Sequence, residues 1–124
     1  MEDKGTHIAL DEGEQLTVEQ CLYAVLLASA NDAAYALAEH VGGTYENFIR
    51  MMNQKAKEIG CQNTNFTNPH GLPDESHVTS AYDMALITKA ALEYDMFQTI
   101  SGTSYYEIPP TVKALLHRQL LTFV

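Results

Sequence analysis

Residues 17–41 read TVEQCLYAVLLASANDAAYALAEHV, from Thr17 to Val41, and this run decides the fold. It is the longest apolar-rich stretch of the chain, and its spacing predicts helix over most of its length. Val18, Leu22, Val25 and Leu26 recur at helical intervals, and Tyr23, Leu27 and Ala28 widen the buried face. Thr17-Val18-Glu19-Gln20 has the form of a capping box, so the helix starts there. Near the middle, Ser29-Ala30-Asn31-Asp32 interrupts the apolar pattern. Ser, Asn and Asp side chains compete for backbone hydrogen bonds and favour caps over helix interiors, so a break is expected. The interruption has two readings. A lone Ser-x-Asn ordinarily does no more than satisfy helix ends. Yet a serine hydroxyl can relay a proton, and an asparagine amide can hold a substrate carbonyl.

Working outward, residues 1–16 read as extended chain, with a short β segment at 7–10 and a turn at Asp11-Glu12-Gly13-Glu14. On the other side, Asn31 or Asp32 caps a second helical segment that Gly42-Gly43 stops. Thr44 caps the next helix, whose stripe is Tyr45, Phe48, Ile49, Met52, Ala56 and Ile59, with Lys55 and Lys57 near its C-terminal end and Gly60 beyond it. Residues 61–79 are too rich in Asn, Pro, Gly and Asp for helix, with a brief strand at Asn65-Phe66-Thr67. A loop of about nineteen residues in a compact domain is usually functional. A further helix begins at Thr79 or Ser80, with Asp83 in its first turn and Met84, Leu86, Ile87, Ala90, Ala91 and Leu92 as its core side. A short helical turn follows at Asp95–Ile100. A strand follows at 103–108, ended by Pro109-Pro110. Residues 112–124 read ambiguously: Val112, Leu116, Leu120 and Phe123 would share one helical face, which favours helix in a short run, a divergent tail after a domain of residues 1–111.

The chain of 124 residues suffices for one small core. Its formal net charge of -9 disfavours a nucleic-acid partner, because a phosphate backbone needs a basic face. Cys21 and Cys61 fit neither a zinc knuckle nor a redox pair, and both are expected to be unpaired, partly buried thiols. No stretch reaches the ~18 apolar residues of a membrane span, and no leader peptide is visible. His70 and His77 bracket Asp74 and Glu75, but a metal site wants three or four converging ligands, and a solvated loop is the simpler reading. His40 needs no role beyond its place near a helix C-terminus.

The order of these pieces carries more than any one of them. Ser-Ala-Asn-Asp-Ala-Ala at 29–34 is followed by FIRMMNQKAKEIG at 48–60, NTNFTNPHGL at 63–72 and TSAYDMALITKAAL at 79–92. Over residues 7–110 the chain resembles the serine D-alanyl-D-alanine carboxypeptidases, the low-molecular-weight penicillin-binding proteins. The resemblance implies a mainly α piece, the helical subdomain of the β-lactamase/D-Ala-D-Ala-peptidase fold, with short β segments near 7–10 and 103–108. It implies hydrolysis of the terminal D-Ala of peptidoglycan stem peptides through an acyl-enzyme, at the extracytoplasmic face of the bacterial membrane, with β-lactams as covalent inhibitors. Neither a cofactor nor a metal is implied.

Three motifs, S-x-x-K, S-x-N and K-T-G, form the machinery of that family. Ser29 matches the serine of the second, which passes a proton between the lysine and the leaving group. Asn31 matches its asparagine, which holds the substrate's peptide carbonyl. His70, Gly71 and Leu72 match a loop that borders the active site, and Asp83 matches an acid that steadies it. The other two motifs do not occur: Ser29, Ser76, Ser80, Ser101 and Ser104 all lack Lys three residues on, and there is no K-T-G. The nucleophile motif is expected before residue 1 and K-T-G after residue 124, so the 124-residue chain alone is expected to be inactive. The rival from another class is a non-catalytic helical module that self-associates through exposed apolar faces.

Overall fold

The computed structural model describes residues 5–111 and 118–121. Its elements run α1 (Val18–Ala28), α2 (Asn31–Gly42), α3 (Tyr45–Glu58), α4 (Ala81–Ala91), α5 (Asp95–Ser101), β1 (Tyr105–Ile108) and β2 (Arg118–Leu121). The described part is therefore mainly helical, as the sequence implied. It divides into two compact units, one of Met1–Leu37 with Thr99–Val124 and the other of Ala38–Gln98.

In the first unit the capping box opens α1. The Gln20 N–H donates to Thr17 Oγ1 at 3.1 Å, and the Thr17 N–H donates to Gln20 Oε1 at 2.9 Å. Two donors that a helix start leaves orphaned are thereby satisfied, and a cap of this kind contributes about 1 kcal/mol. Cys21, Tyr23, Ala24 and Leu27 then face inward and form the core with Ala30, Ala33, Ile100 and Ile108. Three of these eight are alanines, so backbones approach closely at the α1–α2 junction. The Tyr23 ring lies over that of Tyr106, centroids 3.8 Å apart and planes 4° from parallel, which seats α1 on β1. Cys21 and Cys61 are both free and buried, and burial pushes the Cys21 thiol up.

Two expectations are corrected here. Residues 7–10 do not form a strand. Ala9 lies at φ 55°, in the left-handed region, which breaks the pleat. The N–H groups of Ile8 and Leu10 point to the Asp32 carboxylate instead of a neighbouring strand. Nor is the last stretch helical where it is described. Arg118–Leu121 pairs antiparallel with β1, Arg118 opposite Ile108 and Leu121 opposite Tyr105. A short apolar run fits either period, and here the hydrogen-bonding edge of β1 decides it. The rest of the expected tail helix, at 112–117 and 122–124, lies outside the described residues.

Arg118 does more than pair. Its guanidinium meets the Glu14 carboxylate on both oxygens, Nη1 to Oε1 at 2.6 Å and Nη2 to Oε2 at 2.9 Å. The two side chains are only 4% and 1% exposed. Two further donors reach the main chain, Nε to the Ile8 carbonyl at 2.8 Å and Nη2 to the Ala9 carbonyl at 3.1 Å. The Thr111 hydroxyl donates to Glu14 Oε1 at 2.6 Å. With the Asp11 N–H on Oε2 at 3.0 Å, each Glu14 oxygen accepts two hydrogen bonds, and satisfaction of this kind is the condition for a buried pair to hold.

In the second unit α3 and α4 both open on hydroxyl caps. Thr44 accepts from the Asn47 N–H and Ser80 from the Asp83 N–H, each at 3.1 Å. The α2–α3 turn is tight: a Cβ on Gly42 would lie 2.7 Å from Phe48 Cβ and the Phe48 nitrogen, so only glycine fits. The expected strand at 65–67 reduces to one antiparallel bridge, Asn65 with Val78.

Candidate active site

Ser29 ends α1 at φ 52° and ψ 40° and is exposed. A helix commonly ends on a left-handed residue, but that residue is usually Gly or Asn. Here the capping bonds are made by the main chain. The N–H groups of Ser29 and Ala30 both donate to the Ala24 carbonyl, Ala30 at 3.2 Å. The hydroxyl is therefore not the capping group, which removes the simplest reason for a serine at this position. Ala30 is buried in the core and pins the turn, leaving Ser29 and Asn31 on either side of it. Asn31 is the first residue of α2, and its N–H donates to the Thr6 carbonyl at 2.8 Å.

His70, Gly71 and Leu72 are held by a residue that sequence reasoning missed. Asn68, buried, accepts from the N–H of His70 at 3.2 Å and of Gly71 at 2.7 Å, and its amide donates to the Leu72 carbonyl at 2.9 Å. The signal was present in Asn68-Pro69, since Asn before Pro favours turn initiation. Gly71 sits at φ +84° with open space where a Cβ would be, so the requirement for glycine is conformational. His70 Nδ1 accepts the Leu72 N–H at 3.2 Å, and His77 Nδ1 accepts the Thr67 N–H at 3.0 Å. Burial, with the nearby His77 charge, holds the His70 ring below the usual imidazole range. Each ring thus spends one nitrogen on the loop itself. Among the described residues no group of three His, Cys, Asp or Glu converges as a metal cluster would.

Asp83 is 1% exposed and holds the start of this loop. Its carboxylate accepts from the Thr64 hydroxyl at 2.7 Å and from the N–H groups of Asn63 at 2.8 Å and Gln62 at 3.3 Å. Asn53 adds a second grip, bonding both the N–H and the carbonyl of Phe66. The Thr64 hydroxyl, with the two amides, holds the Asp83 carboxyl below the usual range against the opposing effect of burial. A depressed folded-state value contributes stability above the unfolded value of 3.8, and that contribution is lost as pH falls through the folded value. Replacing Asp83 by Asn is expected to speed hydrogen exchange at the amides of Gln62 and Asn63, and to remove this part of the acid limb of the stability curve.

The candidate residues thus gather in two sets. Ser29 and Asn31 adjoin in the first unit. His70, Gly71, Leu72 and Asp83 belong to one hydrogen-bonded loop in the second.

The fold is similar to that of known enzymes. A D-alanyl-D-alanine carboxypeptidase from Mycobacterium tuberculosis superposes with a TM-score of 0.86 at 28% identity, covering 98% of this chain and 45% of that one. Penicillin binding protein 5 from Haemophilus influenzae gives a TM-score of 0.81 at 32% identity, covering 93% of this chain and 32% of that one. The fold is that of the penicillin-binding DD-peptidases. A family model described as D-alanyl-D-alanine carboxypeptidase matches residues 1–120, and the chain belongs to this family. D-alanyl-D-alanine carboxypeptidase DacF of Bacillus subtilis is 46% identical over 99 residues, 80% of this chain and 25% of the relative. The chain therefore spans about a quarter of that relative's length.

Proposed function

We propose that this chain is the helical part of a serine D-Ala-D-Ala carboxypeptidase that removes the terminal D-Ala from peptidoglycan stem peptides through an acyl-enzyme, at the extracytoplasmic face of a bacterial membrane. The observation that carries the reading is the exposed Ser29 in a left-handed turn whose capping bonds are made by the main chain. A hydroxyl kept at a position that glycine fits better, and not used to cap, is available for proton transfer. In this reading Ser29 passes a proton between the lysine of S-x-x-K and the leaving group, and Asn31 holds the peptide carbonyl. The loop at His70-Gly71-Leu72 borders the site, and Asp83 keeps that loop in place.

Nucleophile and base act as a unit, and removing either costs nearly as much as removing both. The 124 residues contain neither S-x-x-K nor K-T-G, so the chain by itself is expected to form no adduct with a fluorescent penicillin. The full-length enzyme is expected to form one. A covalent adduct on the isolated chain would overturn the assignment of the nucleophile, and none on the full-length protein would overturn the function.

The same reading predicts behaviour of the isolated chain in solution. Val18 and Leu26 on α1, and Tyr82, Met84 and Leu92 around α4, are exposed. Without the rest of an enzyme to cover them, such side chains favour self-association. Sedimentation velocity is expected to show a mass that rises with concentration; a clean monomer throughout would refute this.

A further inference from the structure

We infer that Asp32, the residue after Ser29-Ala30-Asn31, is a positioning residue that sets the geometry of Ser29 and Asn31 through the main chain of residues 6–10. The inference rests on the proposed role of Ser29 and Asn31 and adds the means by which they are held.

The carboxylate of Asp32 accepts the Ile8 N–H at 3.2 Å on each oxygen and the Leu10 N–H at 3.0 Å. Its Oδ1 also accepts the Ala33 N–H at 2.9 Å, inside the first turn of α2. One residue earlier, the Asn31 N–H donates to the Thr6 carbonyl at 2.8 Å. The motif is therefore tied to residues 6–10 by its own backbone and by the side chain beside it.

Residues 6–10 are in turn fixed from the other side. Arg118 grips the carbonyls of Ile8 and Ala9, and Glu14 holds Arg118. The Ala9 N–H donates to His7 Nδ1 at 3.1 Å. Ile8 thus has its N–H on an anion and its carbonyl on a cation. Ala9 between these grips lies at φ 55°, a conformation a non-glycine residue keeps only where its surroundings over-determine it. Ser29 at φ 52° is the second such residue among those described. Ala9 lies inside the braced segment, and Ser29 lies two residues before Asn31, which is tied to it. A first-turn acid that merely favoured the helix dipole would accept from its own helix, not from residues 24 and 22 positions away.

A carboxylate suits this place because every group facing it is a donor. An amide of the same shape keeps one accepting oxygen but turns its NH2 toward the main-chain N–H groups on the other side, which it cannot satisfy. Loosening the brace lets the α2 start shift against the end of α1. Misplacement of reacting groups by about 1 Å lowers rates ~10²-fold.

The test is single-turnover acylation of the full-length enzyme by a fluorescent penicillin, read as both a rate constant and an amplitude. The Asp32→Asn variant is expected to acylate about 10–100-fold more slowly at close to full amplitude. A role confined to stability lowers the amplitude, the fraction of folded enzyme, and leaves the rate constant of the folded fraction unchanged. Thr44→Ala, which removes the cap of α3, is the control for that pattern. An unchanged rate constant in Asp32→Asn overturns the inference, whatever the amplitude. If that variant yields no folded protein, Asp32→Glu decides: it keeps the charge but displaces it by one methylene. A slowed rate constant supports the inference and a wild-type one overturns it. Failure of the underlying reading is distinct: the unaltered enzyme would form no adduct, or Ser29→Ala would acylate as fast as the unaltered enzyme.

Discussion

Replacing Ser29 by alanine in the full-length enzyme is expected to slow acylation by penicillin about 10²–10⁴-fold, the scale of a lost proton-transfer group. The fold should barely notice. Ser29 is exposed and its capping bonds are made by the main chain, so stability should stay within about 0.5 kcal/mol. Glycine at the same place should do something alanine does not. The left-handed conformation costs a side-chain-bearing residue roughly 1–2 kcal/mol. Ser29→Gly is therefore expected to be more stable than the unaltered enzyme and equally inactive. Threonine makes the opposite pairing. It keeps the hydroxyl, but a β-branched residue is an outlier at positive φ, so Ser29→Thr should lose stability without recovering full activity. Thermal unfolding and acylation rates on the three variants check this. A Ser29→Gly variant that is less stable than the unaltered enzyme would refute the claim of strain.

Truncating Arg118 to methionine is expected to cost about 3–5 kcal/mol, because it leaves Glu14 charged, buried and unpaired. The carbonyls of Ile8 and Ala9 lose donors in the same step. Lysine should not restore the loss. One ammonium cannot meet both Glu14 oxygens and two carbonyls that a planar fork reaches together. The pH dependence carries the same signature. The Arg118 hydrogen bonds hold the Glu14 carboxyl down at about 2, against an ordinary value of 4.5. Because the folded value is depressed, the contribution is complete above about 4.5 and is lost as pH falls through about 2. Denaturant unfolding between these limits should show a steeper slope in the unaltered protein than in Arg118→Met, where Asp83 still contributes. Equal slopes would show that Glu14 draws its shift from elsewhere.

These two residues differ in how visible they were. Ser29 could be singled out because its signal is local. Polar residues broke an apolar period, and Thr17, Gly42, Thr44, Gly60 and Ser80 marked helix ends with ordinary capping chemistry. The helices followed from the same signals. Arg118 could not be found that way. Its partner lies 104 residues earlier, and a pairing over that distance leaves no trace in spacing. The stretch around it looked helical because Leu116 and Leu120 are four apart, and a short apolar run does not separate helix from strand. Residues 7–10 misled for a related reason. Their strand-like composition says nothing of Asp32, which takes the N–H groups a neighbouring strand would have used. Asp83 was visible as a first-turn acid. That its carboxylate reaches Gln62, Asn63 and Thr64 depends on a loop path that no local pattern encodes.

The clamp between Glu14 and Arg118 also sets an order of events during synthesis. Its acid leaves the ribosome 104 residues ahead of its base. At about 5–20 residues per second, that is a wait of roughly 5–20 s. Through that interval Ile8 and Ala9 have no guanidinium to bind. Residues 6–10 are therefore fixed only after Arg118 has been made, and the braced turn at Ser29 matures only once residues far downstream have emerged.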